Sequence, residues 1–265
     1  MQFKTDMYRL QNIVTPIDLP DFTCYVLADS VDLYHQVIVN YKNTGQFCKI
    51  EHFDGNGYPC WSSLANSAVC AAPTEIVIIV SSRARFDYRT VHQAVRLVEL
   101  GYGLVSFYRM GFIACKKELF RRIGFFEEGF YQDDAGNFLP GNLGGAEDDD
   151  FYIRLAENRI SHWLTDMQGI ASWDITRGSG WTKSTREISE NFVDKWGELY
   201  NPDKYPQTFT RKRENIYNSK YDIAVGAPDY SIHFLPYEQS LCDERHIHDI
   251  MKKSAHSNKR DAIYQ

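Results

Sequence analysis

Glu75-Ile-Val-Ile-Ile-Val80 is the stretch that sets the fold. It is strand-sized, β-branched and apolar at every position after Glu75. A strand with one wet face alternates apolar and polar residues, whereas an unbroken apolar run needs cover on both faces. That is the pattern of a strand inside a parallel sheet. Pro73 precedes it and ends a helical pattern over Trp61–Ala72. Beyond it, a helix is expected over Asp87–Leu100, with Val91, Ala94, Val95 and Val98 on one face and Gly101 and Gly103 as its stop. Leu104-Val-Ser-Phe-Tyr108 reads as the next strand. Upstream, Phe47-Cys-Lys-Ile-Glu-His-Phe53 and Thr23-Cys-Tyr-Val-Leu-Ala28 read the same way. Asp29-Ser30 reads as the cap of a helix through Tyr41 that ends at Asn43-Thr-Gly45. Strands alternating with helices predict an α/β domain with a mostly parallel central sheet. Ligands of such sheets bind beyond the carboxyl ends of the strands, which directs attention to the loops after Ala28, Phe53 and Val80.

The remaining sequence bounds the problem. The chain has 265 residues, of which 43% are hydrophobic and 24% charged, so neither a disordered nor a coiled-coil chain is expected. Its net charge of −6 argues against nucleic acid as the main partner, because a phosphate backbone needs a basic surface. No apolar run approaches the length of a membrane span, and Met1-Gln-Phe-Lys-Thr-Asp6 lacks an apolar signal core. The six cysteines are scattered, with no Cys-x-x-Cys pair, so they read as reduced core thiols in a cytoplasmic protein.

The second half is more irregular. A short helix is expected over Lys116–Ile123 with Gly124 behind it, then a long Gly/Asn/Pro loop from Glu127 to Ala146. A helix should begin at Glu147 and run to Glu157. Short apolar segments surround Trp163 and Ile170, and a helix spans Ser184–Leu199 after the loop Arg177-Gly-Ser-Gly180. The expected organisation is an N-terminal segment over 1–22, a domain over 23–200 and a C-terminal extension over 201–265, packed on the core.

Chemistry concentrates at Gly141-Asn-Leu-Gly-Gly-Ala-Glu-Asp-Asp-Asp150. A glycine loop delivers four carboxylates to the start of a helix, where free N–H groups and the helix dipole favour their ionised form. Acidic first turns are commonly capping alone. A carboxylate facing a cleft there is also able to take a proton from a sugar hydroxyl.

The segment Gly144-Gly-Ala-Glu-Asp-Asp-Asp-Phe-Tyr-Ile-Arg-Leu155 resembles the Trp-Gly-Gly-Glu-Asp-Asp-Asp motif of galactosyltransferases, with one extra residue, Ala146. It is also similar to the Glu-Asp-x-Asp element of family-2-like transferases. Phe120-Arg-Arg-Ile-Gly-Phe-Phe-Glu-Glu-Gly-Phe130 and Asn191-Phe-Val-Asp-Lys-Trp-Gly197 resemble two further elements of the same glycosyltransferases, in the same order. The likeness covers about 23–200 and implies the nucleotide-sugar-binding GT-A fold. It implies an inverting transfer from a nucleotide-sugar donor to a sugar hydroxyl of a glycan or glycoconjugate. Asp148 would be the general base, with Glu147, Asp149 and Gly145 holding the acceptor. Ala28, Asp29 and Asp54 would line the nucleotide. Asp54-Gly55 is also an ordinary turn signal that needs no ligand.

At two places the likeness fails. The family carries an aspartate after the third strand that holds manganese or magnesium on the diphosphate, where this chain has Val80-Ser-Ser-Arg-Ala-Arg85. The family's metal-binding histidine corresponds to Trp173 or Asp174. Either Arg83, helped by Arg85 or Arg177, meets the diphosphate in place of a metal, or the donor site is lost and the chain is a binding module; a metal, if present, would fall to Asp174. An α/β nucleotidyltransferase is a third and weaker possibility. Trp61, Trp173, Trp181 and Tyr131 are candidates to stack on the acceptor, although each serves a core equally well.

Overall fold

The computed structural model describes residues 19–28, 31–32, 35, 50–82, 84, 86, 88–107, 110–140, 145–164, 186–199 and 209–237. The described strands are β1 (Phe22–Ala28), β2 (Ile50–Asp54), β3 (Ile76–Ser81), β4 (Leu104–Phe107), β5 (Phe112–Lys116) and β6 (His162–Leu164). The described helices are α1 (Trp61–Ala71), α2 (Tyr88–Glu99), α3 (Lys117–Ile123), α4 (Glu147–Glu157), α5 (Arg186–Trp196) and α6 (Lys220–Val225). The strands form one six-stranded sheet in the order β2-β1-β3-β5-β4-β6. β1 pairs in parallel with β2 and β3, and β4 with β6, while β5 pairs antiparallel with both neighbours. Five strands therefore run one way and β5 alone runs against them.

The apolar run at 76–80 behaves as its composition requires. Val77 and Ile79 join Tyr25 and Leu27 under α1, α3 and α4, where Leu64, Ala68, Leu119, Phe120 and Phe151 close the layer. Ile76, Ile78 and Val80 turn to the other face and meet Val91, Ala94, Val95 and Val98 of α2. The result is a three-layer sandwich with the sheet dry on both sides.

β5 is the element that sequence reading does not supply. Phe112-Ile-Ala-Cys-Lys116 pairs with Ile76–Val80 and with Leu104–Phe107, separating β3 from β4. Tight hairpins usually show Asn-Gly or Asp-Gly, but here the turn before β5 holds Met110 at φ 57. With Met110 rather than a glycine or asparagine in the left-handed region, Gly111 behind it is a weak turn signal. The helix expected from Lys116 begins one residue later, because Lys116 ends the strand. The helix expected over Val31–Tyr41 lies mostly, and the segment around Ile170 wholly, outside the described residues.

Residues 209–237 wrap back over the domain. Tyr217 and Tyr221 lie against Phe125, the Leu235 N–H donates to the Gly101 carbonyl, and Pro236 bridges to Ile160. Arg122 of α3 reaches the carbonyls of Asp229 and Ile232, with its guanidinium against the Phe234 ring.

Candidate active site

Parallel pairing brings three strand ends together. Ala28 is the register partner of Asp54, and Leu27 of Ser81. The ladder continues past this edge: the Gly55 N–H donates to the Ala28 carbonyl at 3.0 Å and the Ser82 N–H to the Leu27 carbonyl at 3.0 Å. The His52 ring donates to the same Ala28 carbonyl at 2.8 Å. Both lone pairs of that carbonyl are thereby used, so Ala28 contributes position rather than a free acceptor. Asp54 is exposed. Its Oδ1 accepts from the backbone N–H of Asn56 at 3.0 Å and from its side-chain amide at 2.7 Å. These bonds hold its carboxyl below the ordinary carboxylate range. Asp54 thus makes the turn its sequence suggests while standing, ionised, at the mouth of the strand ends.

The acidic turn reaches the same side of the sheet. α1 connects β2 to β3, so its first residue lies beyond the carboxyl end of β2. Cys60, just before it, packs in a cluster with Tyr131, Ile153, Phe192 and Ala146. The Tyr131 hydroxyl, on a side chain with no exposure, reaches the Gly145 carbonyl at 2.8 Å and the Glu147 carboxylate. The Gly145 N–H also donates to Glu147 Oε2, at 2.5 Å. Burial, and then the charge of Asp148, push the Glu147 carboxyl up to about 7. Burial and the charge of Glu147 raise the Tyr131 phenol well above its usual range, so it stays protonated. Asp148, 6% exposed, accepts the N–H of Asp149 at 3.0 Å. Glu147 is thus held toward its protonated form directly beside Asp148.

The residue between the glycine and the helix is strained. Ala146 sits at φ 74, ψ −24, a region that L side chains rarely occupy. It turns the chain so that Asp150 donates its N–H to the Ala146 carbonyl at 2.9 Å.

Asp150 has a different fate. It has no exposure, and its Oδ2 meets the Arg154 guanidinium at 2.8 and 2.9 Å. Its Oδ1 accepts from Trp196 Nε1 at 3.0 Å and from Lys195 Nζ at 2.5 Å. Arg154, then Lys195, hold its carboxyl low against the effect of burial. The Lys195-Trp196 pair of the closing helix therefore binds the last carboxylate of the acidic run. Sequence reading found both motifs and missed this link; the available signal was their two opposite charges flanked by apolar residues.

Glu127 and Glu128 are buried as well. Glu127 accepts from Lys195 at 2.8 Å and from the backbone N–H groups of Gly129 and Ile216, while Glu128 accepts from Asn66 at 3.0 Å. The Phe-Phe-Glu-Glu-Gly-Phe segment is thus a bracket under the acidic turn. Trp61 stands edge-on to Phe126 at 5.0 Å, and Tyr131 is committed to Glu147. Tyr131, with no exposure, therefore offers no stacking face to an acceptor.

Asp29, Arg83, Arg85, Trp173, Asp174, Arg177 and Trp181 lie outside the described residues, as does 141–144 of the glycine loop. Among the described residues, no three His, Cys, Asp or Glu side chains are grouped to hold a metal ion. Asp150 is saturated by cations, so it does not fit as a metal ligand. Also among the described residues, no helix is long and apolar enough to cross a membrane. The chain matches no protein-family profile and no curated protein sequence.

Proposed function

We propose that the chain is a GT-A-type glycosyltransferase that moves a sugar from a nucleotide-sugar donor to a sugar hydroxyl, with inversion. The observation that carries it is the shared side of the sheet: the ends of β1 and β2 and the Glu147–Asp148 turn face one region, as donor and acceptor sites must. The donor nucleotide lies over Ala28 and Asp54. The acceptor hydroxyl stands at the acidic turn, where Asp148 accepts its proton as the oxygen attacks the anomeric carbon and the bond to the diphosphate breaks. Glu147, fixed by Tyr131, and Asp149 orient the acceptor. With the hydroxyl held in attack geometry, most of the protein's contribution is positioning.

Manganese or magnesium would stabilise the departing diphosphate if one is bound, and Arg83 is the alternative source of that positive charge. The described carboxylates do not build a metal seat, so no step is assigned to an ion.

The test is calorimetric titration with nucleoside diphosphates, followed by a screen of nucleotide sugars for hydrolysis, with manganese and with a chelator. Binding of one nucleotide with turnover of its sugar ester is the expected result. Nucleotide binding without turnover of any sugar ester would leave a non-catalytic binding module instead.

A further inference from the structure

Lys195 is fully buried, yet an ammonium group away from water must have all three protons bonded. Three acceptors meet it: Asp150 Oδ1 at 2.5 Å, Glu127 Oε2 at 2.8 Å and Asn215 Oδ1 at 2.5 Å. They come from three separate parts of the chain. Asp150 closes the first turn of α4, Glu127 belongs to the segment after α3, and Asn215 belongs to the C-terminal segment. Burial pulls the lysine down from its usual range, and Asp150 and Glu127 oppose that pull. Asp150 also bears the Trp196 indole and the Arg154 guanidinium, and Arg154 is anchored to the carbonyls of Ile123 and Gly124 at 2.7 and 3.0 Å. With both Asp150 oxygens and the Lys195 ammonium engaged, the first turn of α4 is tied to α5, to the segment after α3 and to the C-terminal segment.

We infer that Lys195 is the positioning residue of the acidic turn, fixing through Asp150 where Glu147 and Asp148 stand, and that Asn215 makes the C-terminal segment a working part of the site. The part that concerns catalysis rests on the glycosyltransferase proposal; the part that concerns the turn does not. Glu147 and Asp148 share the helical turn whose last member is clamped, so release of Asp150 lets the Gly145-Ala146 junction relax from its strained conformation. Misplacement by about 1 Å in an attack geometry costs on the order of a hundredfold in rate.

The experiment uses the full chain carrying Asn215→Leu, which removes one Lys195 acceptor and a long 3.5 Å donor bond to the Ile123 carbonyl but leaves both ion pairs, and in parallel Lys195→Met, which strips Asp150 and Glu127 of a shared cation and is at risk of not folding. Hydrogen exchange is read at the amides of 148–152 and at those of β1 and β3. In Asn215→Leu the acidic-turn amides should exchange roughly tenfold faster while the strand amides keep the parent rate. Donor turnover should fall with nucleotide affinity unchanged. Acidic-turn amides at the parent rate in the folded variant, or a uniform rise across turn and strands, would overturn the inference. If the parent protein turns over no nucleotide sugar, the catalytic proposal fails while the exchange result still decides the role of Lys195.

Discussion

Ala146 is the residue where this chain pays most openly for its geometry. At φ 74 its Cβ opposes the backbone, whereas glycine carries no such penalty. Ala146→Gly is expected to stabilise the protein by about 1 kcal/mol, read as a higher urea midpoint at unchanged slope. A lower midpoint would mean that packing of the methyl group against the Cys60 cluster outweighs the strain. Glu147 makes a pH-dependent contribution of definite sign. Its carboxyl lies at about 7 in the folded protein against an ordinary 4.5, so its stabilising effect is complete below 4.5 and is lost as pH rises through 7. His162 acts in the opposite sense. Burial lowers it to about 4 from 6.5, so its effect is complete above 6.5 and is lost as pH falls through 4. The two oppose each other between 4.5 and 6.5. Glu147→Gln should leave the His162 limb alone, giving stability that rises across that window and then levels. Parallel parent and variant curves in urea unfolding at stepped pH would contradict this. At this scale the sequence gives the identities of the carboxylates but not their surroundings: nothing near Glu147 in the chain announces Tyr131, sixteen positions earlier, as its partner.

Among the elements, β1, β3, α1, α2 and α4 are legible because their periodicity and their stops agree. β3 reads as a two-faced buried strand, and α2 carries Val91, Ala94, Val95 and Val98 at helical spacing. β5 is not legible, because its turn uses Met110 in a conformation that sequence statistics assign to glycine or asparagine. The bracket at Glu127–Gly129 is legible as a motif and opaque as a contact. Gly129 leaves room for nothing larger: an added Cβ would come within 2.6 Å of Glu127 Oε1 and 2.9 Å of Ile216 Cβ. Gly129→Ala should therefore push Glu127 off the Ile216 amide and cost roughly 1–3 kcal/mol, measured by denaturant unfolding. A neutral result would show that the C-terminal segment shifts freely, against the shared seat at Lys195.

For the whole molecule, the contacts that fix the acidic turn come from distant parts of the chain. The sheet order places the ends of β1, β2 and β3 side by side, which alternating strands and helices predict. Charge pairing between Asp150, Lys195 and Glu127 joins α4, α5 and the segment beyond α3, which no local pattern predicts. Residues 209–237 contribute Asn215 to that junction and Tyr217 and Tyr221 to the cover over Phe125. A chain ending at residue 208 should consequently be insoluble or lack a cooperative thermal transition, and a cooperative transition near the parent temperature would show the segment to be dispensable. The central claim is that Asp148 takes the proton of an acceptor hydroxyl during sugar transfer. Its most direct test is the rate of transfer from the nucleotide sugar that the parent turns over, compared between parent and Asp148→Asn at equal nucleotide occupancy. A loss of about a hundred- to ten-thousandfold with nucleotide affinity and thermal transition preserved is the predicted result; transfer at the parent rate by the folded variant would contradict it.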